Sequence, residues 1–388
     1  MVFQIYVPTR LVFGPGSLGT LHEQALPGKK ALVVTTGGKS VKAHGYLDAL
    51  FSELEQAGVD FVLFDQVQAN PTLNSVRAGS RLIRSEGCDF VVGLGGGSAI
   101  DAAKAMAVMA ANPGDLWDYM GAGSGGRKPL AARPLPTVAI TTTAGTGTET
   151  DPWMVITNEE LNEKIGFGND QTYPCLSIVD PELMLTVPPR LTAYQGFDAF
   201  FHVVEGYLNK NHNPIADQMS LQAIGLIARS LPTAVKEGGN LEARTDVALA
   251  NTLAGYSQSI SGTISAHPIE HALSGFHPDL PHGAGLIMTS VAYFRAFLPH
   301  EEVHERYIEM ARAMGREAER PEDFIDAMIE LKAACGVADL KMSDYGVKPD
   351  EFPAMLDLLK TLSRDNFEED PVKLSREDFE RIYRDSYR

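Results

Sequence analysis

The run Phe90-Val91-Val92-Gly93-Leu94-Gly95-Gly96-Gly97-Ser98, continuing into Ala99-Ile100-Asp101-Ala102-Ala103-Lys104, decides how this chain is read. Its first residues are apolar and β-branched, which predicts a strand over 90–94 with no face toward water. The alanine-rich continuation predicts a helix over 99–111. Between them, consecutive glycines let backbone amides approach an anion, and the helix N-terminus adds a favourable dipole. Gly95, Gly96, Gly97 and Ser98, with Asp101 opening the helix, are therefore candidates for a dinucleotide cradle. The GxGxxG expression itself is not met, because Ser98 stands where the third glycine belongs.

The same rhythm extends on both sides. Strand-like runs at 31–36, 61–64, 137–141 and 177–179 alternate with helix-like stretches at 46–57 and 73–86. That alternation predicts a Rossmann-like parallel α/β sheet with helices on both faces. At Val187-Pro188-Pro189-Arg190 the character changes and strand signals almost vanish. Leu221, Ile224, Ala228 and Leu231 form an apolar helical stripe, a further helical run covers 303–314, and a mixed-charge tail covers 364–388. The chain is thus divided into an α/β domain, 1–187, and an all-helical domain, 188–388.

Two stretches match GxGxxG literally, starting at Gly14 and Gly121, but neither follows a strand and opens a helix, so both are read as turns. A better second cofactor segment is Thr141-Thr142-Thr143-Ala144-Gly145-Thr146, directly after a strand, with hydroxyls suited to a phosphate or carboxamide. The strand 31–36 ends in Gly37-Gly38-Lys39-Ser40, with Lys42 close behind and no acid before Asp48. An acid there would accept from the adenosine ribose and repel a 2′-phosphate, so its absence favours NADP(H) over NAD(H).

In the second half, Asp198 and His202 stand four apart, which puts them on one helix face. His267, His271 and His282 follow within sixteen positions of one another. One carboxylate with two or three imidazoles suits a divalent transition metal, which accepts nitrogen and oxygen together.

Composition narrows the partners. A formal net charge of −17 argues against nucleic acid or an anionic membrane, both of which need a basic face. Three scattered cysteines make no disulfide framework and no thiolate zinc site. No basic, apolar leader and no run of about 18 apolar residues is present, so a cytoplasmic protein is expected.

These motifs together resemble the iron-containing (group III) alcohol dehydrogenases, along essentially the whole chain. The resemblance runs from Leu11-Val12-Phe13-Gly14-Pro15-Gly16 through the Gly95–Ser98 turn, Gly147-Thr148-Glu149 and Asp198-Ala199-Phe200-Phe201-His202, to His267, His271 and Pro281-His282-Gly283. It implies a dehydroquinate synthase-like fold and a metal held by Asp198, His202, His267 and His282, with Fe(II) favoured and Zn(II) or another divalent ion as substitute. It places His271 beside the nicotinamide and carries cofactor contacts onto Asn70, Gly96, Gly97, Ser98, Thr142, Thr146 and Lys164. It also implies a homodimer or higher homo-oligomer. Two departures stand out: Pro268 directly after His267, and His277 as a competitor for the place of His282.

The implied activity is hydride transfer between NAD(P)(H) and a small primary alcohol, diol or aldehyde, with the metal as Lewis acid. The rivals are a metallohydrolase, a lyase or synthase on the same fold, and a regulator that binds cofactor without turnover. Trp153, Phe167, Phe197 and Phe201 are candidates for an apolar substrate wall, with core packing as the alternative.

Overall fold

The computed structural model describes residues 2–161, 163–362 and 367–388. Residues 364–366 of the expected charged tail lie outside them. The chain divides into two compact units, one of Ile5–Thr186 and one built on Val187–Arg388.

In chain order the first unit contains β1 (Arg10–Phe13), β2 (Lys30–Thr36), α1 (Ser40–Ala43), α2 (Tyr46–Gln56), β3 (Asp60–Val67), α3 (Leu73–Glu86), β4 (Phe90–Gly95) and α4 (Gly97–Ala111). It continues with β5 (Thr137–Thr141), β6 (Met154–Asn158), β7 (Glu163–Phe167) and β8 (Leu176–Val179). The described residues form a six-stranded sheet in the order β1-β8-β5-β4-β2-β3, parallel throughout. Alternate residues along β2 feed two separate cores, as a doubly wound sheet requires. Leu32 and Val34 pack with residues of α3 and α4, whereas Ala31 and Val33 pack with residues of α2.

From β2 the chain steps outward to β3, then crosses back to place β4 on the other side of β2. This reversal is the topological switch point, where open α/β sheets bind ligands beyond the carboxyl ends of the strands. Three strands, β1, β6 and β7, leave little pattern in the sequence. The edge strand β1 is only four residues long. The antiparallel hairpin β6–β7 buries only alternate residues of β6, a weaker signal than the fully buried β4 and β5.

The second unit is helical, with α5 (Pro189–Leu208), α6 (Pro214–Lys236), α7 (Leu241–Ser261), α8 (Ala266–Phe276), α9 (His282–Ala296), α10 (His304–Ala313), α11 (Glu322–Ala334), α12 (Phe352–Leu362) and α13 (Arg376–Ser386). Pro189 occupies the first turn of α5, where its missing N–H is no loss. From Thr192 onward α5 is buried almost continuously, packed against α6, α7 and α9. Phe197, Phe200, Phe201, Phe294 and Phe324 form one aromatic cluster there. Phe197 and Phe201 are thus core residues, and Phe167 belongs to the α/β core. Among the described residues no helix is long and apolar enough to cross a membrane.

Candidate metal centre and nucleotide-binding loops

The sequence-predicted cofactor segments in the α/β unit gather at the carboxyl ends of neighbouring strands. Gly95 and Thr141 end β4 and β5 at the same register, and the Thr142 N–H donates to the Gly95 carbonyl at 2.9 Å. The glycines are required by this close approach. A Cβ on Gly96 would lie 2.9 Å from Thr143 Oγ1, one on Gly97 would lie 2.6 Å from Thr146 Cγ2, and Gly95 has a φ of +150°. The helix α4 starts at Gly97, two residues earlier than expected, without a side-chain cap or an acid in its first turn. Its leading amides are therefore available to an anion. Asn70, just past β3, is one of few non-glycine residues with positive φ, at 59°, a conformation asparagine tolerates better than most. Lys164 pairs with Thr157 in the β6–β7 hairpin, and Thr157 N–H donates to the Pro71 carbonyl beside Asn70.

Gly37, Gly38, Lys39 and Ser40 are exposed beyond β2. Lys42, close behind that loop, has a partner. It pairs with Asp65 of β3, whose carboxyl this hydrogen bond holds below the usual range.

Asp101, expected near the cofactor, turns its carboxylate to the protein. Its Oδ1 accepts from the Thr148 hydroxyl at 2.7 Å and its Oδ2 from the Val155 N–H at 2.9 Å. Beside it the Lys104 ammonium, with no side-chain exposure, donates to Thr148 Oγ1, to the Asp151 and Trp153 carbonyls and to Asp151 Oδ1, at 2.8 to 3.1 Å. Burial pushes the Asp151 carboxyl up to about 7 despite that partner. This knot ties α4 to the segment after the threonine loop.

In the helical unit, Asp198 and His202 lie one turn apart on α5, His267 and His271 one turn apart on α8, and His282 begins α9. Asp198 Oδ1 stands 3.5 Å from His267 Nε2, 3.5 Å from His282 Nε2 and 3.8 Å from His202 Nδ1. The His202 ring stacks on His267 with centroids 4.3 Å apart. Asp198 Oδ1 and His267 Nε2 are both fully buried without a hydrogen bond. Metal–ligand bonds of about 2.1 Å in a tetrahedron put ligand atoms about 3.4 Å apart, so Asp198 Oδ1, His267 Nε2 and His282 Nε2 fit a shared divalent ion, with His202 beside them and outside that group. Burial works against its charge, yet His202 and His282 hold the Asp198 carboxyl well below its ordinary value. Against the same penalty, Glu205 and Asp198 raise His267 to about 10.

The helix α8 begins at Ala266, so Pro268 falls in its first turn, just past His267. His277 caps the far end of α8 and pairs through Nε2 with Glu351 at 3.0 Å. His282, not His277, joins Asp198 and His267. The His271 ring lies 5.3 Å from His282 and 6.3 Å from His267, and His271 also forms a second potential ligand group with Glu270 and His282.

Comparison with known proteins bears on both units. Residues 8–181 match the family model of iron-containing alcohol dehydrogenase. Residues 192–387 match that of the Fe-containing alcohol dehydrogenase family, C-terminal. The chain belongs to the iron-containing alcohol dehydrogenase family. Among its relatives, 1,3-propanediol dehydrogenase of Citrobacter freundii is 35% identical over 100% of this chain and 99% of its own. The NAD-dependent methanol dehydrogenase of Bacillus methanolicus is 37% identical over 72% of this chain and 71% of its own. Among solved structures, an archaeal halo-thermophilic Red Sea brine pool alcohol dehydrogenase superposes with a TM-score of 0.94 at 35% identity, covering 100% of this chain and 99% of its own. The chain is therefore an oxidoreductase of the alcohol dehydrogenase type.

This iron-containing alcohol dehydrogenase also holds two buried glutamates to which the sequence reading gave no role. Glu205 Oε1 lies 2.5 Å from His267 Nδ1, and Glu270 Oε2 meets His282 Nδ1. Both are fully buried. A usable signal was present: Glu205 follows His202 by three residues and Glu270 follows His267 by three, the spacing of neighbours on one helix face.

Proposed function

We propose that this enzyme transfers a hydride reversibly between a nicotinamide dinucleotide and a small primary alcohol, diol or the matching aldehyde, with Asp198, His202, His267 and His282 holding one Fe(II). The observation that carries the metal reading is the pair of buried, unbonded ligand atoms, Asp198 Oδ1 and His267 Nε2, at the edge length of a tetrahedral site. When bound, the ion supplies Lewis acidity to a substrate oxygen and the nicotinamide supplies the hydride acceptor. One carboxylate against a divalent ion leaves the group of ligands net positive, which favours an anionic oxygen. His271 takes up the proton the alcohol must lose, a role supported by its ring lying beside His282, 5.3 Å between centroids.

On the nucleotide side, Gly95, Gly96, Gly97 and Ser98 take the pyrophosphate on backbone amides. Thr142, Thr143, Thr146, Asn70 and Lys164 supply polar contacts, and Asp101 holds the loop they rest on. Gly37, Gly38, Lys39 and Ser40 take the adenosine end. NADP(H) is favoured over NAD(H) because Gly37–Ser40 themselves carry no acid and Lys39 is exposed, although Asp65 of β3 reaches Lys42 beside this turn. Relatives named for NAD or NADH stand against that preference.

The test is reduced-nicotinamide absorbance with metal-reconstituted protein, both cofactors, and a panel of C2 to C6 alcohols, diols and aldehydes. Turnover of at least one of these is expected. Silence across the panel from protein that has taken up metal would refute the substrate class.

A further inference from the structure

Neutral imidazole carries one proton, and a carboxylate on Nδ1 fixes that proton there, leaving the lone pair on Nε2. In this chain the Nε2 atoms of His267 and His282 are the ones that converge on Asp198 Oδ1, each at 3.5 Å. Glu205 and Glu270 sit on the opposite ring nitrogens. We propose that Glu205 and Glu270 are positioning residues for the metal and that they act unequally, Glu205 through bonds to both its oxygens and Glu270 through bonds to one oxygen with the other to spare. This rests on the metal reading above.

The inequality is geometric. Glu205 reaches from α5 to the start of α8, where Ser265 makes no side-chain cap bond. Its Oε1 accepts from His267 Nδ1, and its Oε2 accepts the Ile264 N–H at 3.0 Å and the His267 N–H at 3.4 Å. Both oxygens face donors. Glu270 Oε2 accepts from His282 Nδ1 and, at 3.5 Å, from the Ser274 hydroxyl, while its Oε1 is buried without a hydrogen bond. The helix α9 comes so near that a Cβ on Gly285 would lie 2.7 Å from Glu270 Cγ, so the glycine makes the space in which the carboxylate stands.

A glutamine offers one acceptor and one donating amide. At 270 its oxygen can serve His282 while its amide takes the unbonded side. At 205 the amide must oppose either the imidazole N–H or two backbone N–H groups, and both arrangements set donor against donor. Glu270→Gln should therefore preserve what Glu270→Ala removes, whereas Glu205→Gln should not preserve what Glu205 does.

The experiment measures Zn(II) and Fe(II) dissociation constants by chelator competition in the parent chain, E205Q, E270Q and E270A, with NAD(P)H binding as a check on the α/β unit. E205Q and E270A should bind metal about 10- to 100-fold more weakly than the parent, and E270Q should lie clearly on the parent's side of E270A. Parent-like affinity in E205Q or E270A would overturn the proposal, as would E270Q falling to the level of E270A. Should E205Q fail to fold, the contrast between E270Q and E270A decides alone. A parent chain that takes up no metal would bring down the metal reading itself, a result distinct from a loaded parent with unaffected variants.

Discussion

Lys104 with Asp101, Thr148 and Asp151, and Asp198 with its histidines, are both buried polar clusters, one in each unit, yet they are bonded differently. Every proton of the Lys104 ammonium has an oxygen to go to, and both oxygens of Asp101 have donors. Around Asp198 the His267 and His282 imidazoles are anchored on Nδ1, while Asp198 Oδ1 and His267 Nε2 are left without a hydrogen bond. Buried polar groups are costly unless satisfied. A saturated cluster is therefore part of the scaffold, and a cluster whose inward atoms are unpaired has room for something else. The contrast separates a cluster that holds a loop from one with room for an ion.

The largest effect should come from emptying the second cluster. His202→Ala is expected to lose stoichiometric metal and detectable turnover while keeping nucleotide binding, read by elemental analysis and by NAD(P)H fluorescence titration. Stoichiometric metal in that variant would show that the ligands are misassigned.

Breaking the saturated cluster should act on stability instead. Lys104→Met takes the ammonium donor away from the Asp151 carboxyl and from two carbonyls, and loss of one partner of a buried pair costs about 3–5 kcal/mol. Denaturant unfolding should show that loss, with metal content unchanged. A melt like the parent's would mean the knot is not part of the scaffold.

His271 lies at the border of the comparison. With His271→Gln, metal should stay and kcat should fall, by about 100-fold for a lost proton-transfer group. Coordinate loss of metal would instead place His271 among the ligands, through the group it forms with Glu270 and His282.

The smallest effect concerns the turn after β2. The ratio of kcat/KM for NADP(H) over NAD(H) should exceed one and fall in Lys39→Ala. A tenfold preference for NAD(H) in the parent, about 1.4 kcal/mol, would refute that reading of Gly37-Gly38-Lys39-Ser40. Asp65, already paired with Lys42 near this loop, is the residue to examine in that event.

The features legible from sequence alone were local ones. The strand–glycine–helix turn at 90–111, the change of character at 187 and the shared face of Asp198 and His202 each show in residues close together along the chain, where backbone geometry sets the pattern. The hairpin β6–β7 and the four-residue β1 were missed because short strands with partial burial leave little pattern. The choice between His277 and His282 also stayed open, since both follow α8 within a few residues.

By itself, then, the sequence determined a parallel α/β half, a helical half, and which residue types could hold a nucleotide and a metal. The partnerships were decided only in three dimensions: Glu205 with His267, Glu270 with His282, Asp65 with Lys42, and Lys104 with Asp151. Each joins residues from different elements, so no periodicity records it. Their chemistry follows from which donors and acceptors packing brings within reach and shuts away from water, a property of the folded chain and not of any segment of it.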